Sequence, residues 1–433
     1  MTSYKVGRHS FDWTNLHLPR QETDPFRYEY DKLGSEVVKK LQQLSATQKK
    51  EADGKPRCPF DMYDTLLDHH SMDETLSQFW TEIHTVPDWV DWEQLERGQK
   101  FLYRYAPATI LGFALQGFLG ENSGASGVVE VLFLLQVTKS LDSIKPGGEG
   151  HTTTVRVRLL HSAVRERILK LVKTRPDYFD VESYGVPINR LDSIHSITTF
   201  CCNHMWLQLP LMGVYPTHQD MADYIALFRY VGYLLAVPDK YFHSVAQAKA
   251  TMESMMVHEL QITPTSRIVG HNFVQCVQDL PPINISAGFI EAGGRVLNGD
   301  ELCDLLGLGR PSVFYYACFR GYCWLVRWLA LAQQTFPALD EAVVKYFRTT
   351  LHQIIIESKA GLAGGAKLGF QYVPQIGKLT SKEDNGRSAP TSSPMSRPVE
   401  TFCFTIFMLG CLLTVAFMAI LSTHLIALLH VLR

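Results

Sequence analysis

Several common chemistries have no foothold in this chain. Its 433 residues include nine cysteines but no C-x-x-C pair, which excludes zinc-finger spacing and thioredoxin-type redox work. Cys58, Cys276, Cys303, Cys318, Cys323, Cys403 and Cys411 stand apart, and the expectation is reduced or buried thiols. The adjacent Cys201 and Cys202 read as helix packing. No G-x-S-x-G elbow, phosphate loop or paired zinc motif occurs, so no named hydrolase or nucleotide chemistry competes. The stretch GLAGGAKLG at 361–369 lacks P-loop spacing and reads as a turn. An excess of one charge is missing too. Lys and Arg total 41 against 43 Asp and Glu, so no basic field exists to hold phosphates and no nucleic-acid partner is expected. The first 30 residues lack the apolar core of a signal peptide. No internal repeat is evident, and no long segment needs a strand to explain it.

What is present is apolar and helical. Hydrophobic residues make up 46% of the chain, enough for a large core and one or two domains. Phe402 to Leu432 contains no Asp, Glu, Lys or Arg. About 20 apolar residues cross a bilayer as a helix, so this stretch is read as one span, Phe402 to Leu421. The alternative, a buried terminal helix, suits its length and uniformity poorly. Residues 379–400 are rich in Ser and Pro and read as a flexible linker. The expected division is a peripheral segment at 1–60, a helical domain at 61–378, the linker at 379–400 and the membrane anchor at 401–433.

Within the domain, helical patterns are expected over Ser35–Lys50, Asp73–His84, the stretch after Pro87, Ala106–Leu119, Ser126–Leu141, Tyr215–Val237 and much of 240–278. The aromatic run Phe314–Phe336 and Val343–Gly361 also read as helices. Residues 284–297 have no clear assignment. The helix at 126–141 sets Glu130 among apolar residues and ends near Thr138 and Lys139. A carboxylate or amine in such surroundings is costly unless paired, so both are active-site candidates; the alternative is capping or snorkelling. His195 and His204 read as packed core histidines.

The most informative stretch is Thr152–Val172. Val157, Leu160, Val164 and Ile168 recur at helical spacing. Arg158, His161 and Arg165 then share a face. Such a face is either a metal ligand beside a site for anionic groups or a charged surface meeting water.

Four pieces in order carry a family resemblance: PDWVDWEQLERGQ at 87–99, RVRLLHSAVR at 156–165, GVPINRLDSIHSITTF at 185–200 and YIALFRYVGYLLAVPDKY at 224–241. Together they resemble the fungal endoplasmic-reticulum-bound oxygenases and the catalytic domain of bacterial rubber oxygenase. The resemblance implies an all-α fold: a multi-helix, globin-like haem-binding domain, here followed by a C-terminal transmembrane helix. It implies haem b as the cofactor, His161 as the iron ligand, and Arg158 and Arg165 as groups organising the haem pocket or meeting a propionate. On the distal side it points to Thr138 and Lys139, in an order reversed from the family's, with Glu130 as a further polar candidate. The implied reaction is oxidative cleavage of a C=C bond in a prenyl-like or other apolar substrate by dioxygen. A fungal member of the family acts in secondary metabolism. The lipid membrane is the other implied partner, and the resemblance points to that of the endoplasmic reticulum with a cytosolic domain. A haem-dependent monooxygenase or peroxidase-like enzyme and a non-catalytic helical membrane adaptor are the alternatives.

Overall fold

Short polar side chains placed just before apolar runs start many of these helices. In the computed structural model, which describes residues 2–51, 61–112, 115, 127–260, 262, 264–279, 284–357 and 397–431, the fold is almost entirely helical. The exception is a small hairpin, β1 (Ser3–Val6) and β2 (His9–Asp12), paired antiparallel. Its turn is made by Gly7, whose φ of 58° favours glycine. This hairpin departs from the expectation that no strand was needed. Alternation over only four residues per strand is too brief to stand out in the sequence.

The helices that follow are α1 (Lys32–Glu51), α2 (Met62–His69), α3 (Glu74–His84), α4 (Trp92–Arg104) and α5 (Gly127–Thr138). Next come α6 (Glu149–Thr174), α7 (Arg190–Asn203), α8 (His218–Leu234), α9 (Val245–His258) and α10 (Pro264–Val277). The last are α11 (Ala287–Asn298), α12 (Val313–Thr335), α13 (Pro337–Leu351) and α14 (Pro398–Val431). Asp61, Asp73 and Asp91 cap α2, α3 and α4 by accepting from backbone amides. Reciprocal capping boxes open α7 (Asn189 with Asp192) and α8 (Thr217 with Asp220). The stretch expected to be helical over 106–119 is helical from Ala106 to Gly112, and most of its remainder lies outside the described residues. So do the proposed linker from 379 to 396 and the turn at 361–369.

One large apolar core joins α4, α5, α7, α8, α9, α11 and α12. A smaller core joins α1, α2 and α3 to one face of α6 through Val38, Leu41, Phe79 and Leu159. The α6 helix therefore has a face on each core, and the edge between those faces carries His161. The first residues of the chain are built into this body. Both His9 and His17 meet the Glu253 carboxylate, at 2.8 and 3.0 Å. Phe11, Leu18 and Phe26 are buried.

The terminal α14 is long and apolar enough to cross a membrane, with a mean hydropathy of 2.5 over Pro398–His424. It is a single-pass anchor. Its first turns are docked on the domain: Cys403 is buried, and Glu400 accepts from the Ser286 amide at 2.6 Å.

Candidate active site

The Arg158, His161 and Arg165 side chains do share one edge of α6. Both arginines are buried, and each is already engaged. The Arg158 guanidinium donates to both Asp31 oxygens, Nε at 2.7 Å and Nη2 at 3.1 Å, in the two-pronged geometry that suits a carboxylate. Its Nη1 lies 2.8 Å from Glu82, and its plane covers the Phe79 ring at 4.6 Å. Arg165 donates to the carbonyls of Pro187 and Ile188 at 3.2 and 2.7 Å and to Ser35 Oγ at 3.1 Å. Ile188 has φ 53°, an outlying conformation for a β-branched residue, and its carbonyl is the one Arg165 clasps most closely.

Asp31 is the residue that sequence reasoning missed. It precedes α1, and its Oδ1 accepts from the Gly34 amide at 3.0 Å, so one carboxylate caps α1 and neutralises Arg158. Burial pushes the Asp31 carboxyl up, but Arg158, the Gly34 amide and Arg165 outweigh it and hold the group below its usual range. The available signal was an aspartate just ahead of a helical pattern. The partner it takes is 127 residues away.

His161 faces a cleft of about 260 Å³ bordered by Tyr30, Asp31, Glu82, both arginines, Asn189 and Ala236. Ala236, like Ile188, has a positive φ, here 61°, so strained backbone flanks the cleft on two sides. Burial, and then the charge of Arg165, lower the His161 pKa to about 4 against the opposing pull of Asp31. The imidazole is therefore neutral at physiological pH, the form that binds a metal. No hydrogen bond to its ring nitrogens is found among the described residues.

The other proposed residues are distributed differently. The Thr138 hydroxyl is buried and donates to the Leu134 carbonyl at 2.6 Å, with the Tyr103 hydroxyl 3.0 Å away. Lys139 pairs with Glu149 at 2.6 Å on the exposed side. Glu149 begins α6, twelve residues or about 18 Å before His161. Thr138 and Lys139 thus do not border the His161 cleft. Contacts from Gln136 to Thr153 and from Lys139 to Glu149 make α5 and α6 antiparallel. That direction carries the backbone of Glu130 back toward the level of His161.

His204 is buried in a π-helical turn, His204–Gln208, where its Nδ1 meets Gln208 Oε1. Burial lowers its pKa to about 3. His195 instead borders a second, largely apolar cavity of about 310 Å³, walled by Trp206, Leu207, Leu211, Met256 and the β1–β2 turn. Among the described residues no group of three metal-ligating side chains occurs. Any iron at His161 would therefore need donors the protein does not itself cluster there, as a macrocycle provides.

Residues 131–328 match the family described as ER-bound oxygenase mpaB/B'/Rubber oxygenase, catalytic domain. The match takes in 198 of the 433 residues, a little under half of the chain, and contains His161 and both arginines. The matched span includes the whole of α6 and α7, the part of α5 after Glu130 and most of α12. The rubber oxygenase of Streptomyces sp. (strain K30) is 23% identical over 271 residues, covering 55% of this chain and 61% of the relative. The match thus spans rather less than two thirds of the relative's length. Among solved structures, latex clearing protein LCP in its closed state superposes with a TM-score of 0.56 at 18% identity, covering 75% of this chain and 91% of the other. That likeness shows the shared helical fold.

Proposed function

We propose that this protein is a membrane-anchored, haem-dependent oxygenase that uses dioxygen to cleave a C=C bond in a prenyl-like or other long apolar substrate. His161 would hold the iron of haem b in this reading. The observation that carries it is a neutral imidazole, held without a hydrogen-bond partner among the described residues, facing a cleft within the oxygenase domain.

The donor chemistry of His161 fits such a group. Burial and the adjacent Arg165 keep the His161 lone pair unprotonated. The two arginines act one step away from the group: Arg158 is held by Asp31 and Arg165 by two carbonyls. They fix the edge of α6 that bears His161. Lys32 and Arg190 also line the cleft and are the cations that would meet a carboxylate there, Arg190 by exchanging its present partner Glu29. When bound, haem supplies the dioxygen activation that acid–base side chains cannot. Of the polar candidates, Glu130 is the one whose backbone α5 carries toward the His161 level. The catalytic domain lies on the cytosolic side of the endoplasmic reticulum in this proposal, with α14 in the bilayer.

The test begins with the full chain purified in detergent from haem-replete cells. One iron per chain and a Soret band are expected, with the band lost or shifted in His161→Ala. An intact, haem-free protein overturns the reading. Product masses then separate reaction classes: cleavage splits the carbon chain, whereas monooxygenation retains it.

A further inference from the structure

The α14 anchor lies along α12, and the two helices run in the same direction. Phe314 meets Phe404 at 5.1 Å between ring centroids, and ten residues further on Trp324 meets Phe407 at 5.3 Å. Gly321 and Gly410 let the backbones close: a Cβ on Gly321 would overlap the Cys403 carbonyl, and one on Gly410 would overlap the Trp324 ring. Small residues at a helix contact are the usual means of such an approach.

Beyond this contact the helices part. Every α14 residue from Leu412 to His424 is exposed. From Gly410 to Val431 the helix extends for 22 residues, about 33 Å, against a hydrocarbon core of about 30 Å. The membrane therefore begins near the Trp324 level, while α12 continues past it for eleven residues, about 16 Å. That end of α12 and the start of α13 are apolar on the outside. Trp328 is 66% exposed and Phe336 60%, and Leu325, Leu331 and Leu339 are exposed beside them. Trp328 and Leu331 continue the helical stripe that α14 covers at Gly321 and Trp324. Two polar groups nearby turn inward: the Gln333 amide donates to the Arg104 carbonyl, and Asp340 pairs with Arg104 at 2.8 Å, while Gln334 and Thr335 at the tip are exposed.

We propose that the α12–α13 elbow is itself embedded in the bilayer, its outer stripe covered by lipid acyl chains beside the anchor. The occupant follows from continuity. A face that prolongs the contact surface of a membrane helix, on the same side and at the same height, meets what that helix meets. Depth is limited by charge. Arg327 and Glu341 are exposed, about two and a half turns before and one and a half turns after the tip at Phe336, so α12 slants away from α14 and only on the order of 5–10 Å of its 16 Å is depth, to the headgroup–acyl boundary and not the midplane. Tyr215, which borders the apolar cavity, accepts from Gln334 on the same elbow at 3.2 Å. The cavity thus has an edge at the lipid surface, where an apolar ligand is most concentrated. The elbow's insertion depends on the anchor alone and stands apart from the oxygenase reading.

The test uses the full chain in phosphatidylcholine liposomes, with p-benzoylphenylalanine replacing Trp328, Phe336, Val415 or Met72 one at a time. After ultraviolet exposure, intact masses at 328 and 336 should rise by one phospholipid, as at 415 in the anchor, with no adduct at 72. Crosslinking of 328 or 336 to a second copy of the chain would make this a dimer face and overturn the proposal. Adducts at 415 with none at 328 and 336 would overturn it too, and so would the absence of adducts at all four positions.

Discussion

Replacing Asp31 by Asn tests the edge of α6 on which His161 sits. The change keeps shape and the α1 cap but removes the charge that faces Arg158. Breaking a buried ion pair from one side costs about 3–5 kcal/mol, because the remaining charge stays buried. Arg158 is only 3% exposed, but its Nη1 also reaches Glu82, whose side chain is 39% exposed. This second partner is partly in water and offsets a share of the loss, so the low end, about 3 kcal/mol, is expected. Reversible denaturant unfolding followed by tryptophan fluorescence measures it. The decisive comparison adds Arg158→Met. If the pair acts as a unit, the double variant is more stable than Asp31→Asn alone. A loss below about 0.5 kcal/mol for the single variant, or strictly additive losses, would refute the reasoning.

Three further outcomes follow from the same structure. Gly34→Ala should destabilise the protein measurably in the same assay, since the added Cβ would overlap the Asp31 carboxylate and the Ser162 hydroxyl; unchanged stability would mean that α1 shifts freely at this point. His204 is fully buried with its pKa lowered to about 3. The unfolded chain, titrating near 6.5, therefore binds the proton more readily, and stability is intact above pH 6.5 and falls as pH drops toward 3. By pH 5 this one group should account for about 2 kcal/mol, and His204→Gln should flatten the pH dependence of the unfolding midpoint. Gly321→Leu should push α14 off α12 without unfolding the domain, which limited proteolysis between domain and anchor would register as faster cleavage with the melting transition of the core retained.

Much of the fold could be read from local pattern. Asp73 ahead of an apolar helix, Asn189 with Asp192, and the uninterrupted apolar run of α14 each express their structure within a few residues. The shared edge of Arg158, His161 and Arg165 follows from 3.6-residue periodicity in the same way. What those arginines bind does not, because Asp31, Glu82 and the Ile188 carbonyl arrive from three other elements. Spacing alone made the arginines available to anionic groups of a cofactor; tertiary pairing occupies them. Lys139 is the converse case. Its position at a helix end looked costly, yet it only needs to reach Glu149 at the start of the next helix. The close approach of α12 and α14 depends on one glycine from each helix, and neither glycine is informative until the other is known.

The N-terminal hairpin and arm carry a consequence for synthesis. His17 must wait for Glu253, and Asp31 for Arg158, intervals of 236 and 127 residues. At roughly 5–20 residues per second on the ribosome, the arm stays without its native partners for on the order of ten seconds or more. During that time Phe11, Leu18 and Phe26 have no core to enter. A segment made more than a hundred residues ahead of its partners is among the last parts of this body to find its place.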